Sequence, residues 1–181
     1  MGAGGQETTR DRPRPDAARF REPATLEWQD PVLVICPRCG NRAVAEDAEG
    51  GARLRCEACT LRRVWSGQDL HVTVDGRDVV LVRRAGVWVD PVTGRPPART
   101  SLLPTREARF GVPLWLVTEC CGGRVLWARN EEHLDYLRAY VTATLRDRSG
   151  GLSTKLPTWM KRAGNRDEVI RAIARLRATL Q

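Results

Sequence analysis

Two pairs of cysteines, Cys36-Pro37-Arg38-Cys39 and Cys56-Glu57-Ala58-Cys59, decide how this chain folds. Two residues inside each pair allow both thiolates to reach one metal ion from a tight turn, and sixteen residues separate the pairs. This spacing is typical of a tetrahedral four-cysteine zinc site in which a β-hairpin lies between two metal-binding turns. The sequence therefore predicts one zinc ion, held by Cys36, Cys39, Cys56 and Cys59.

The predicted zinc is structural, because four sulfur ligands leave no coordination position for water or substrate. The alternative is a pair of disulfides, which require an oxidising compartment. The start of the sequence lacks the charged and apolar regions of a secretory signal. The sequence as a whole has no run of about eighteen apolar residues that would span a membrane. We therefore expect a cytoplasmic protein with reduced, metal-binding thiols.

Composition and patterning predict an α+β fold in four segments. Residues 1–29 mix glycine, proline, arginine and acidic residues and are expected to form a disordered arm. Residues 30–66 are expected to form a zinc ribbon and residues 67–129 a β-hairpin region that extends it. Residues 130–181 are expected to form a helical C-terminal section packed against that sheet.

The strand pattern of the ribbon follows from its short apolar and alternating stretches. The ribbon is expected to start with a short apolar strand at 31–35 that leads into Cys36, and Gly40 follows the first pair where a positive φ is often needed. Residues 43–45, 53–55 and 62–65 then predict a three-stranded ribbon.

Two hairpins are predicted after the ribbon. Asp75-Gly76 suits a type I′ turn between strands at 71–74 and 77–82, and a further strand is expected at 86–89. Residues 95–113 contain four prolines and no clear period, which predicts a loop. The second hairpin is expected to join 114–120 to 124–128.

Helical signals begin at Asn130, a favourable N-cap residue. An apolar stripe at helical spacing predicts a helix that ends at Ser149-Gly150-Gly151, its members being Leu134, Leu137, Val141 and Leu145. Pro157 can open a short helix that reaches Gly164. Asn165 and Glu168 predict a capping box for the last helix, whose expected core face is Val169, Ile170, Ile173, Leu176 and Leu180.

The chain carries a net charge of +8, and arginine supplies 28 of its 30 basic residues. GC-rich codon usage is one explanation of this bias, and selection for phosphate or carboxylate contacts is the other. A basic surface favours an anionic partner, most commonly nucleic acid. The first candidate surface consists of Arg53, Arg55, Arg62 and Arg63, and the second of Lys161, Arg162, Arg171 and Arg175. Strand alternation predicts that Arg53 and Arg55 share a face and that one of Arg62 and Arg63 faces inward or toward the metal-binding turn.

Six tryptophans stand against two phenylalanines. Four of them lie in strand-like segments and are expected in the core, namely Trp65, Trp88, Trp115 and Trp127. Trp159, beside the basic pair Lys161-Arg162, is either a partner anchor or a helix-packing residue. Cys120-Cys121 either packs at a turn or joins His71 or His133 in a second metal site, and packing is the favoured interpretation.

The segment Cys36–Cys59 resembles the transcription factor IIB-type zinc ribbon. The remainder resembles a group of small bacterial proteins that combine such a ribbon with a β region and a helical tail, on the strength of residues 110–116, 118–122, 126–128, 156–161 and 165–168. The resemblance implies a structural zinc site, and ribbons of this type are binding modules in transcription, replication and translation. Thr60 departs from the pattern, since such ribbons often have glycine there.

No glycine-rich phosphate loop, nucleophile elbow or His–Glu–His zinc helix is present in the sequence. We therefore expect a non-enzymatic protein that binds nucleic acid, or a complex that acts on it, with neither a membrane nor a small-molecule substrate as partner. The alternative is a protein–protein adaptor or structural subunit in which the ribbon is only a metal-stapled fold.

Overall fold

The computed structural model describes residues 19–21, 30–102, 104–146 and 152–181, which form mainly antiparallel sheets and, toward the C-terminus, helices. The fold is therefore of the mixed α+β type. The strands are β1 (Arg19–Phe20), β2 (Val32–Ile35), β3 (Arg42–Ala48), β4 (Gly51–Arg55), β5 (Arg62–Trp65), β6 (Asp69–Val74), β7 (Arg77–Arg84), β8 (Val87–Val89), β9 (Ser101–Leu102), β10 (Arg106–Glu107), β11 (Val112–Pro113), β12 (Leu116–Cys120), β13 (Arg124–Ala128) and β14 (Leu145–Arg146). The helices are α1 (Glu131–Thr142), α2 (Thr158–Lys161) and α3 (Arg166–Ala178). Short 3₁₀ turns lie at Leu152–Lys155 and Ala163–Asn165.

Both cysteine pairs belong to a four-stranded antiparallel sheet in the order β2-β3-β4-β5. A three-stranded ribbon was predicted, and the strand expected at 31–35 joins it as a fourth, because β2 pairs along β3 from Val32 opposite Ala45 to Ile35 opposite Arg42. Alternate residues of β2, β3 and β4 are buried on one face. This face packs against Phe110, Val112 and Leu114. The four-stranded sheet β2-β3-β4-β5, which we call the cysteine sheet, therefore has a small hydrophobic core of its own.

A second four-stranded sheet has the order β8-β7-β6-β9. Asp75 and Gly76 have φ values of 49° and 78°, as a type I′ turn requires, and Val74 pairs with Arg77 across them. The predicted hairpin is therefore confirmed. Ala85 and Gly86 repeat the positive φ values in the turn before β8.

The prediction that residues 95–113 form a loop is wrong in part. Within this range β9 pairs with β6, and β10 pairs with β11. Strands of two residues carry no periodic signal, so their pairing depends on contacts from elsewhere in the chain.

Those contacts centre on Glu107, a carboxylate that is only 1% exposed. Its Oε1 accepts a hydrogen bond from Arg109 Nε at 2.6 Å, and its Oε2 accepts one from the Phe110 N–H at 2.8 Å. Arg109 also donates to Asp30 at 3.0 Å and to Asp47 on β3. This network therefore attaches residues 107–110 to the cysteine sheet. Its members are Glu107, Arg109, Asp30 and Asp47.

Gly111 closes this segment at φ +65°, with its backbone close to the His71 ring. A Cβ atom there would lie 2.4 Å from the ring, so only glycine allows this approach.

The C-terminal helices pack on the hairpin β12-β13, where α3 contacts β12 and α1 contacts β13. The helices were predicted to pack against the ribbon as extended by its hairpins. They contact the last of these hairpins, which forms a two-stranded sheet of its own and does not extend the cysteine sheet. This helical core is a separate hydrophobic cluster, joined to the cysteine sheet by backbone hydrogen bonds such as Trp115 N–H to Leu33 O at 2.9 Å.

Asn130 caps α1 as predicted, because its side chain accepts a hydrogen bond from the His133 N–H at 2.9 Å. The helix ends at Thr142, however, and Leu145 lies in β14. The predicted stop at Ser149-Gly150-Gly151 lies outside the described residues. β14 pairs in parallel with β1, so the helical pattern is interrupted by a contact from a distant part of the chain.

Only residues 19–21 of the predicted disordered arm are described, and there the structure has strand β1. Phe20 is buried between the rings of Tyr136 and Tyr140, with centroid distances of 5.3 and 5.2 Å. The rest of that prediction lies outside the described residues.

The capping box predicted for α3 is wrong. Asn165 has helical backbone angles and makes no side-chain cap, and its amide donates instead to Trp159 O at 2.9 Å. The Glu168 carboxylate accepts the Cys121 N–H of the β12-β13 turn. The expected core face is buried at Val169, Ile173 and Leu176, whereas Ile170 and Leu180 are only partly buried.

Among the described residues, none of the helices has the length and apolar character that crossing a bilayer requires.

Candidate metal centre and arginine groove

The two cysteine pairs form matching turns at neighbouring strand ends. The Cys36 N–H donates to Asn41 O at 2.8 Å, and the Cys56 N–H donates to Leu61 O at 3.0 Å, so each turn spans the same number of residues. The first cysteine of each pair is buried, whereas Cys39 is exposed and Cys59 is partly buried. The four thiols therefore converge beside the two turns, at one end of the sheet.

The spacing of the sulfur atoms fits a metal ion. All four Sγ atoms lie within 4.8 Å of one another. Cys36 Sγ lies 3.6 Å from Cys59 Sγ, and Cys39 Sγ lies 3.7 Å from Cys56 Sγ. A tetrahedron with zinc–sulfur bonds of about 2.3 Å has edges of about 3.8 Å. Disulfides would need separations of about 2.05 Å, so the cluster can hold one metal ion and is not a pair of disulfides.

Hydrogen-bond donors surround the sulfur atoms. The Arg38 N–H lies 3.4 Å from Cys36 Sγ, and the Asn41 amide lies 3.5 Å from Cys39 Sγ. Burial alone would raise the pKa of Cys36, but the N–H groups of Arg38 and Cys39 and nearby thiols outweigh it and lower the pKa to about 7. The cluster is therefore prepared to form a thiolate, which is the metal-binding form of cysteine.

The thiols also oppose each other's ionisation. The Leu61 N–H lowers the pKa of Cys59, but burial and the three neighbouring cysteines outweigh it and raise this pKa to about 12. A divalent cation at the centre would offset the repulsion between thiolates, which is why metal binding releases protons from such clusters.

The residues that follow the two pairs, Gly40 and Thr60, both have positive φ values, +74° and +56°. Glycine adopts this conformation at no steric cost, whereas a β-branched residue is strained in it. The second turn therefore contains local strain that the first turn lacks.

We expect Thr60→Gly to raise the free energy of unfolding by roughly 1 kcal/mol, because relief of the left-handed strain exceeds the entropy cost of glycine. The reciprocal change Gly40→Thr should lower it by about 1–2 kcal/mol. A Cβ at Gly40 meets no atom within 4 Å, so this loss would come from the backbone alone. Urea unfolding at a fixed free zinc concentration measures both changes, and effects of equal sign would contradict the interpretation.

The structure brings together the four arginines of the first candidate surface. Arg55 lies opposite Arg62, and Leu54 lies opposite Arg63, in the β4-β5 ladder. With Leu54 and Val64 these arginines line a groove of about 430 Å³, which we call the arginine groove.

The register follows the predicted alternation, with Arg62 opposite Arg55 and Arg63 opposite the buried Leu54, but neither arginine is buried, because both are exposed. β5 is the edge strand of its sheet, and residues 62–64 on it are all exposed. Glu46 pairs with Arg53 at 2.8 Å and with Arg55 at 3.1 Å, and Glu57 pairs with Arg55 at 3.2 Å. Within the described part of the chain, no carboxylate pairs with Arg62 or Arg63.

The second candidate surface is less concentrated. Lys161 lies at the end of α2 and Arg162 directly after it, whereas Arg171 and Arg175 lie on an exposed side of α3. Arg175 donates to Glu119 O at 3.0 Å. None of these four residues lines the arginine groove.

Trp159 is partly buried and packs against the helical core. With Trp127 and His133 it lines an apolar cavity of about 310 Å³. Burial, with a smaller contribution from Arg129, lowers the pKa of His133 to about 4, so this imidazole is neutral at physiological pH. These contacts favour helix packing, the structural alternative for Trp159.

Cys120 and Cys121 do not join a metal site, since neither belongs to a cluster of three or more ligand atoms within the described ranges. Burial, then Cys121 and Glu168, raise the pKa of the Cys120 thiol to about 12. The pair lies at the β12-β13 turn, where Cys121 has a φ of +51°.

Sequence reasoning did not find a cleft of about 650 Å³ between the cysteine sheet and the end of α3. Arg42, Arg55 and Trp115 line it, together with Leu180. Arg42 donates to Leu180 O at 2.8 Å across 138 positions of sequence, so no local pattern indicated this site.

Comparisons of the chain with protein-family models, curated proteins and solved structures found no match.

Proposed function

We propose that Cys36, Cys39, Cys56 and Cys59 hold one structural zinc ion in a ribbon of the transcription factor IIB type. The four sulfur atoms lie at tetrahedral spacing, and this supports zinc as the bound ion. Zinc is the metal that four cysteine thiolates typically hold in closed structural sites. The bound ion cross-links the two turns and supplies no open coordination position. This protein is accordingly a non-enzymatic, cytoplasmic module.

The proposed activity is binding of nucleic acid, either free or within a complex that acts on it. The arginine groove supports it, because all four arginines line it and Arg62 and Arg63 have no carboxylate partner among the described residues. Guanidinium groups bind phosphate oxygens in pairs of parallel hydrogen bonds. Arg53 and Arg55 already share Glu46, so Arg62 and Arg63 are the residues expected to contact phosphate first.

Reversal of charge at Arg62 and Arg63 is expected to weaken nucleic-acid binding strongly and to flatten its salt dependence. Loss of two phosphate contacts should reduce the slope of log K against log salt by about 1.4 for a single strand, or about 1.8 for a duplex. Fluorescence anisotropy with a labelled oligonucleotide, titrated at several salt concentrations, measures this slope.

The matched control is Arg83→Glu with Arg84→Glu, an adjacent exposed pair on β7 in the other sheet. It changes the net charge equally, so it should leave most of the slope intact. Arg171→Glu with Arg175→Glu tests the second surface. Equal losses for the Arg62/Arg63 and Arg83/Arg84 pairs would show that net charge, and not the groove, governs binding.

A protein–protein adaptor is the second candidate, favoured by Val64, which is 81% exposed on the edge strand β5. An exposed strand edge can pair with a partner strand. Nuclease treatment of a pull-down distinguishes the candidates, because it releases partners that nucleic acid bridges and retains direct protein partners.

A further inference from the structure

The arginine groove and the cleft meet at Arg55, which lines both. The groove offers arginine side chains along strands β4 and β5, and the cleft offers an aromatic ring, Trp115. A basic path that leads to an aromatic surface is the arrangement with which proteins hold single-stranded nucleic acid. We infer that a single strand occupies both, with its phosphates along the groove and one unstacked base against Trp115. This inference rests on the proposed function.

Trp115 is held in place for such a contact. Its ring packs on the helical core and also lines the cleft, so part of the ring is covered and part is accessible. The indole N–H donates to Thr179 Oγ1 at 3.0 Å, which fixes the ring orientation. A ring fixed before binding loses little conformational entropy when a base stacks on it.

The remaining cleft residues suit an uncharged group with polar edges. Two carboxylates line the cleft: Glu57, which pairs with Arg55 at 3.2 Å, and Glu131, which pairs with Arg177 at 3.0 Å. Phosphate is therefore attracted less to the cleft than to the arginine groove. Asn41 and Gln181 supply amide groups that can hydrogen-bond to the edge of a base.

A single strand is required because bases in a duplex are stacked and paired, and their faces cannot reach a side chain without being flipped out. An unpaired base presents both faces, and stacking on a tryptophan tolerates any of the bases. The occupant is therefore single-stranded DNA or RNA, bound with little sequence preference.

Anisotropy titrations with three probes of equal length test this inference: a mixed-sequence single strand, the same sequence as a duplex, and an abasic strand with the same phosphates. The single strand should bind more tightly than the duplex, and the abasic strand should bind about 5- to 150-fold more weakly than the single strand, the range expected for stacking of one base. Trp115→Leu should lose a similar factor for the single strand only, and Trp115→Phe should retain most of the affinity. Trp88→Leu, a half-buried tryptophan on β8, is the matched control.

The outcomes separate the inference from the proposed function. Binding that needs Arg62 and Arg63 but is equal for the single and abasic strands, or for the single strand and the duplex, would overturn the inference and leave the proposed function intact. Absence of binding to all three probes at low salt would overturn both. If Trp115→Leu does not fold, the comparison of single and abasic strands on the unaltered protein decides.

Discussion

Replacement of Cys36 by serine is expected to unfold the cysteine sheet, the largest effect of any single substitution in this protein. Cys36 is 2% exposed and belongs to the hydrophobic cluster of that sheet, in which alanine and valine are the commonest buried residues. So small a core buries little apolar area, and structural zinc supplies on the order of 10 kcal/mol in comparable small domains. Loss of one ligand should therefore remove most of the sheet's stability, and a strong zinc chelator should do the same.

Hydrogen exchange measures this effect element by element. Amides of β3 and β4 should lose protection in Cys36→Ser, whereas α1 and α3, which belong to the separate helical cluster, should lose less. Cys121→Ser is the matched control, because Cys121 lies outside the metal cluster. Retained protection of β3 and β4 in Cys36→Ser, or after chelation, would contradict a folding role for the metal.

Arg109→Ala is expected to have the second largest effect, a loss of about 3–5 kcal/mol in the free energy of unfolding. The side chain of Arg109 is 14% exposed, and it is the cation that contacts the buried Glu107 carboxylate. Its removal would leave a charge that is 1% exposed without its partner, and would also release Asp30 and Asp47. Desolvation of an unpaired carboxylate is the main cost.

The double variant Glu107→Gln, Arg109→Ala should recover much of this loss, because glutamine needs no counter-charge and its carbonyl can still accept the Phe110 N–H. Arg106→Ala is the matched control, an exposed neighbour whose guanidinium donates to Gly111 O. Urea unfolding of the four proteins forms the test. A double variant no more stable than Arg109→Ala would show that the guanidinium acts through packing and not through charge.

Features with local chemistry could be predicted from the sequence, and features that depend on distant contacts could not. The cysteine pairs, the Asp75-Gly76 turn and the Asn130 cap each depend on a few adjacent residues, and the structure contains all three. Leu145 continues a helical stripe, yet it pairs with β1, more than a hundred residues away in sequence.

The same contrast applies to the candidate sites. The cysteine cluster could be found from spacing alone. Alternation places Arg62 and Arg63 on opposite faces, but it could not show that both are exposed. The network around Glu107 brings Asp30, Asp47 and Arg109 together from three segments. A buried glutamate beside an arginine in a proline-containing stretch carries no sequence signal for such a network.

X-ray absorption at the zinc edge tests the central claim, a closed four-cysteine zinc site, most directly. The purified protein should contain about one zinc per chain, with four sulfur neighbours at about 2.3 Å and no nitrogen or oxygen ligand. A mixed shell with oxygen or nitrogen at about 2.0–2.1 Å, or a protein that folds fully with no metal, would contradict it.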